Sequence, residues 1–135
     1  MTEIILNLLK KELFNGENTD LKGVDWNELW KEAQLQSVTT LIYAGADKMG
    51  QADDTLKNEA ALQLLKNSNS FMNHVKIGKF LDEAQIPYMI IKGVISASYY
   101  PDPYVRPMGD TDVLVKKEDF EKAKRIIFLH FFLLF

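Results

Sequence analysis

The sequence contains no cysteine. Disulfide scaffolds and thiolate metal sites are therefore excluded. It also lacks a strong charge of either sign: 16 Lys and Arg face 19 Asp and Glu, for a net charge of −3. A nonspecific nucleic-acid coat needs a basic field, and this chain has none. A small anionic ligand gripped by a few local cations stays compatible with that balance. Histidine is scarce. His74 and His130 lie far apart in the sequence, and each reads as structural or exposed rather than as a ligand. No apolar run is long enough to span a bilayer, which takes about 20 residues. The start, MTEIILNLLKKELF, carries its charges after its apolar residues, the reverse of a signal peptide. A cytoplasmic protein with no membrane partner is the expectation.

What is present is an ordinary globular profile over 135 residues, enough for one core or for a helical region joined to a small α/β unit. Thr2 stands where it could cap a helix whose stripe is Ile4, Ile5, Leu8, Leu9 and Leu13. Asn15 to Gly23 is a polar loop. Asp25 and Glu28 have capping-box spacing and open a helix with Trp26, Leu29, Trp30 and Ala33. The two tryptophans, at helical spacing, are assigned to packing. A break near Ser37 precedes Val38, Leu41 and Ile42. A long helix then runs to about Ala84 on Leu56, Ala60, Leu64, Leu65, Phe71, Met72, Val75 and Leu81. At Ile86 the texture changes. IPYMII and TDVLV are short β-prone runs, VISASYY a short helix, PDPYVRPMG a constrained loop, and KEDFEKAKRIIF a helix. The expected organisation is a helical region over 1–84 and an α/β unit over 85–135, hence an α+β chain.

Asp110 and Asp112 stand one residue apart, just ahead of an apolar run. Like charges there repel and resist desolvation unless a cation joins them. Side chains alternate along a strand, so the two carboxylates project to one side, with Leu114 deeper on that side. Thr111, Val113 and Val115 take the other, apolar face. The pair is thus expected at the open end of an otherwise buried strand. Replacing either member by Asn is then expected to relieve strain in the metal-free protein. Converging carboxylates suit Mg²⁺, with Mn²⁺ as a substitute. A second ion about 3.5–4 Å away would complete a two-metal site for in-line phosphoryl displacement. Gly109 would let the backbone approach a ligand closely. Seventeen positions before Asp110 is Gly93, where a strand ends and a helix begins. Free N–H groups at a helix start favour phosphate. Lys92 adds charge, Ser96 a hydroxyl, and Arg106, in the intervening loop, a guanidinium that can grip phosphate in two places. Each feature alone is weak, and the combination supplies a metal-binding acid pair, a phosphate-binding helix start and an arginine.

The segment IPYMIIKGVISASYYPDPYVRPMGDTDVLV closely resembles the signature of the uncharacterised nucleotidyltransferase family of the polymerase-β-like superfamily. The shared features are a Lys-Gly after the first strand, a Tyr-Pro-x-Pro-x-x-Arg loop, and Gly-Asp-x-Asp opening an apolar strand. WNELWKEAQLQSVTTLIYAGADKM resembles the family's helical region less distinctively. The resemblance implies transfer of a nucleoside monophosphate from an NTP to an acceptor, with Mg²⁺. Asp110 and Asp112 would be the catalytic and metal-binding pair. Lys92 and Gly93 would form the turn that holds the triphosphate, where the superfamily has Gly-Ser or Gly-Gly. Residues 85–135 would then be the strand–helix–strand–helix start of a mixed-sheet core.

The superfamily's third acid lies on a later strand, and Glu118, Asp119 and Glu121 are poor substitutes on the following helix. The apolar end IIFLHFFLLF suggests a C-terminally shortened or altered chain, and a surface prone to self-association. Three readings stay open. One is a nucleotidyltransferase or its N-terminal portion, the second a non-catalytic NTP–Mg²⁺ binder, the third a helical protein-interaction module. The acceptor (protein, nucleic acid or small molecule) and the base preference are not encoded in these residues.

Overall fold

Asp25 shows how local chemistry starts an element. Its carboxylate accepts from the backbone N–H groups of Asn27 and Glu28, so α2 (Trp26–Leu35) begins with two of its orphan donors satisfied. α1 (Thr2–Phe14) begins differently. Its cap position falls on Met1 and has no side-chain bond, so Thr2 is the first helical residue rather than the cap. α1 ends at Asn15, a left-handed residue with φ 51°. Ser37, with φ 56°, breaks α2 from α3 (Thr39–Lys48), at the position where the apolar pattern falters. α4 (Asp54–Glu83) is 30 residues long. β1 (Tyr88–Ile91), α5 (Val94–Ala97), a 3-10 turn (Pro103–Val105), β2 (Asp112–Val115), a second 3-10 turn (Lys117–Asp119) and α6 (Phe120–Phe132) follow. This computed structural model describes residues 1–132, and the side chains of all of these but Thr55 and Phe132. The end of the apolar tail, residues 133–135, lies outside the described residues. The architecture is α+β, with helices and one small antiparallel sheet.

Packing divides the chain into two compact units, Met1–Ser68 with Ala97–Pro107, and Asn69–Ser96 with Met108–Phe135. The division falls inside α4, whereas the texture of the sequence changes at Ile86. A 30-residue helix is about 45 Å long, so its two halves can serve different cores.

In the first unit, Ile5 and Leu8 of α1 meet Leu29 and Ala33 of α2 and Ile42 and Ala46 of α3. α1 and α3 cross closely because position 45 is glycine. A Cβ there would stand 2.3 Å from the backbone oxygen of Leu8, closer than any real contact. Trp30 packs on Leu56 and Ala60, with Trp26 against them, as the helical spacing of the tryptophans implies. Glu12 is buried, and Lys48 Nζ stands 2.8 Å from its Oε2 while donating to its backbone oxygen at 3.1 Å.

In the second unit, β1 and β2 are antiparallel with Tyr88 opposite Val115, Ile90 opposite Val113 and Ile91 opposite Asp112. Tyr88, Val113 and Val115 face Ile77 and Leu81 of α4 and Ala123, Ile126 and Ile127 of α6. His130 stacks on Phe80, with ring centroids 3.9 Å apart. The opposite sheet face carries Met89, Ile91, Asp112 and Leu114. Leu114 is 56% exposed and Met89 62%. The sequence places Leu114 deep in a core. The helices of this unit cover only the other face, so the strand is buried on one side and open on the side of Asp112.

Candidate functional site

The register of the hairpin builds the site. Ile91 lies opposite Asp112, so the residue after β1 emerges beside the residue that begins β2. That residue is Lys92, and its Nζ stands 3.6 Å from Asp112 Oδ2. Both side chains are largely exposed, Asp112 at 52%. Lys92 therefore gives Asp112 a cation beside it. Asp110 is exposed as well. The pair is not a buried, repelling couple, and the strain expected from desolvation does not arise.

Lys92 and Gly93 both have left-handed backbones, with φ 58° and 48°. For lysine that conformation costs about 1 kcal/mol or more. Glycine at 93 is required twice over. Its φ is one requirement, and the other is that a Cβ there would fall 2.4 Å from Nε2 of His74. The turn closes when Ile95 N–H donates to the Lys92 carbonyl at 2.9 Å. α5 is a single turn of four residues, shorter than the helix that VISASYY suggests. So short a helix has little dipole, and the positive charge at this point is that of Lys92. Ser96 lies in that turn, half-buried. Gly109 has open space where a Cβ would be, so its backbone is accessible but not sterically constrained. Asp110 and Gly109 border a hollow of about 390 Å³ that also has Ser70 and Asn73 of α4 on its wall.

Lys92, Gly93, Ser96, Gly109, Asp110 and Asp112 all belong to the second unit, and Arg106 belongs to the first. The Arg106 guanidinium donates to its neighbour's carbonyl, Pro107 O, at 3.3 Å. The loop that carries it is well anchored. Asp102 caps the 3-10 turn through Tyr104 N–H at 2.9 Å, Asn67 Nδ2 donates to Tyr104 O at 2.8 Å, and the Thr40 hydroxyl donates to Val105 O. Among the described residues no group of three acidic, histidine or cysteine side chains is gathered to hold a metal, so no third acid joins the pair.

Two residues near these elements escape a reading based on apolar periodicity. The buried stripe of α4 runs Ala60, Asn67, His74, Leu81 in steps of seven, while Leu65, Met72 and Val75, expected to be inside, are exposed. The polar members hold loops. Asn67 holds the Pro-rich loop. His74, 1% exposed, has Nδ1 2.7 Å from Ser70 O and 3.3 Å from Thr111 Oγ1, the residue between the two aspartates. The signal was present: a polar residue repeated at heptad spacing within an apolar stripe. A titration shift accompanies the sheet nearby. Burial pushes the Tyr88 phenol above its ordinary value, and the Asp82 carboxylate, 3.3 Å from its hydroxyl, adds to the effect.

No curated protein and no solved structure matches the chain. A family model described as "Uncharacterised nucleotidyltransferase" matches residues 22–130, most of the chain. The Lys92–Gly93 turn, the Arg106 loop and the Asp110–Asp112 strand start all lie inside that span, and the chain belongs to the uncharacterised nucleotidyltransferase family.

Proposed function

We propose that this protein binds a nucleoside triphosphate with Mg²⁺ at the Lys92–Gly93 turn and the Asp110–Asp112 pair, and passes the nucleoside monophosphate to an acceptor. The observation that carries this reading is the placement of Lys92 against Asp112 by strand register. A cation already stands at the Asp112 carboxylate, where a divalent ion with its phosphates would be attracted for the same reason. The donor set fits Mg²⁺, which prefers hard oxygens and often takes one or two protein carboxylates beside substrate phosphates. Asp110 and Asp112 would hold it, and when bound it would neutralise charge developing on the transferring phosphoryl group. Mn²⁺ would fit the same oxygens. Lys92 would leave Asp112 and pair with a phosphate oxygen. The Lys92–Gly93 turn would lie along the triphosphate, with the Ser96 hydroxyl and the open backbone at Gly109 as further contacts. Arg106 is proposed as a phosphate contact on its chemistry alone. In the transfer, an acceptor oxygen bonds to the α-phosphorus, the bond from that phosphorus to pyrophosphate breaks, and the acceptor proton leaves to solvent.

The absence of a third acid beside the pair among the described residues favours one second reading, binding of NTP–Mg²⁺ without turnover. Pyrophosphate release separates the two. The acceptor stays open between protein, nucleic acid and small molecule. Among the described residues no helix is long and apolar enough to cross a membrane. We place the protein in the cytoplasm, where nucleotide and Mg²⁺ are abundant. Self-association through the apolar end of α6 belongs to the same proposal.

The test is calorimetric titration of MgATP and MgGTP, with and without EDTA, with Asp110→Asn as control. Metal-dependent heat that disappears in the variant supports the site. Absence of binding in the parent protein removes the proposal.

A further inference from the structure

We infer that His74 is the positioning residue of this site. Its imidazole sets the spacing between the Lys92–Gly93 turn and the strand start that carries Asp110 and Asp112. What the site binds rests on the function proposed above, whereas the positioning itself rests on geometry alone.

His74 Nδ1 lies 2.7 Å from the Ser70 carbonyl, which can only accept. Nδ1 therefore carries the ring hydrogen and donates it. The Thr111 hydroxyl oxygen, 3.3 Å from the same nitrogen, shares that hydrogen. Thr111 is the residue between the two aspartates, and its side chain reaches His74 of α4. One nitrogen thus ties the strand start to the helix.

With Nδ1 protonated, Nε2 is an acceptor. It is buried and has no donor among the described residues. A buried unmatched acceptor is unfavourable, and a residue kept only to fill space would be leucine or phenylalanine. Nε2 faces Gly93. The point where a Cβ of residue 93 would lie is 2.4 Å from Nε2 and 3.2 Å from each flanking ring carbon, so it sits at the Nε2 end of the ring, midway between those carbons. The turn backbone rests against the tip of the ring, and only glycine permits that approach. Lys92, next in the chain, is held in its left-handed conformation with its Nζ at Asp112. One rigid ring touches both halves of the site, through Thr111 on one side and Gly93 on the other.

The variants that test this are His74→Asn, Gly93→Ala and the two combined. Asparagine keeps a donor for the Ser70 carbonyl but removes the tip of the ring. At temperatures well below each variant's melting point, His74→Asn is expected to weaken MgATP binding at least about tenfold, and Gly93→Ala more. The double variant is expected to bind better than the product of the single losses, because the new methyl group occupies space the ring has left. A merely structural role would lower Tm, leave the affinity of the folded protein unmoved, and make the two changes additive.

Amide exchange supplies a readout that does not depend on nucleotide. In His74→Asn the amides of Lys92 to Val94 and of Thr111 are expected to exchange at least about tenfold faster, while that of Ala123 in α6 does not change. If the parent protein binds no MgATP, the nucleotide reading fails and exchange alone decides the role of His74. Equal exchange at those amides in variant and parent overturns the inference. So do additive affinity losses in a site that binds.

Discussion

Lys92 answers the question posed by two neighbouring aspartates, because it gives Asp112 a cation before any ligand arrives. An exposed pair of this kind contributes little to stability, about 0–1 kcal/mol. Asp110→Asn and Asp112→Asn are therefore expected to abolish metal-dependent nucleotide binding while moving stability by about 0.5 kcal/mol or less, read by calorimetry and thermal melting. Variants that bind MgATP as the parent does would move the site elsewhere. The exposure of the aspartates was not legible in the sequence, since it depends on which sheet face the helices cover. Tyr88 makes a separate prediction at this scale. Its pKa is raised in the folded state, so the folded protein keeps a proton that the unfolded chain gives up. Its contribution is complete below the ordinary tyrosine value of about 10 and is lost as pH rises through the folded value. Denaturant midpoints should fall above pH 10 in the parent and fall less in Tyr88→Phe. Equal alkaline losses would show that Tyr88 is not the group responsible.

At the scale of elements, α1 and α3 depend on a contact that no side chain makes. Gly45→Ala would drive a methyl group into the Leu8 carbonyl, and the helices must separate. A loss of roughly 1–3 kcal/mol is expected, visible as a lower Tm with the fold otherwise kept. An unchanged Tm would mean that the helices cross with room for a methyl group at position 45. The Glu12–Lys48 pair in the same crossing is asymmetric. Glu12 is 2% exposed and Lys48 44%. Removing Lys48 strands a buried carboxylate, so Lys48→Met is expected to cost up to roughly 3–5 kcal/mol. Glu12→Gln leaves an ammonium that can turn to water, and should cost distinctly less. Equal costs in urea melts would contradict that asymmetry. α4 behaves differently again. Its buried stripe includes Asn67 and His74, each of which anchors a loop, so this helix acts as a support for loops as much as a core element.

For the molecule as a whole, the open sheet face of Met89, Ile91 and Leu114 and the exposed Phe128 and Leu129 of α6 are apolar surface in contact with water. Such surface favours association with another apolar surface. Sedimentation velocity should show an average mass that rises with concentration, and Leu114→Lys combined with Phe128→Lys should flatten that rise. A concentration-independent monomer in the parent would remove the expectation. The family match covers residues 22–130, so α2 and α3 of the first unit fall within it together with the strand that bears Asp112, whereas α1 precedes it.

The sequence by itself determined the order of elements, the α+β class and the motif on which the proposed site rests. These follow from local physics: caps, periodicity, turn formers, and the short motif around Lys92, Gly93, Asp110 and Asp112. Tertiary structure alone decided which face of β2 is buried, because alternation names two faces but not the covered one. It alone brought Lys92 to Asp112, because strand register is a pairing between segments distant in sequence. It also decided that Gly93 must be glycine on account of His74, nineteen positions earlier. The side chain that sets that limit comes from another helix, and no local rule can see it.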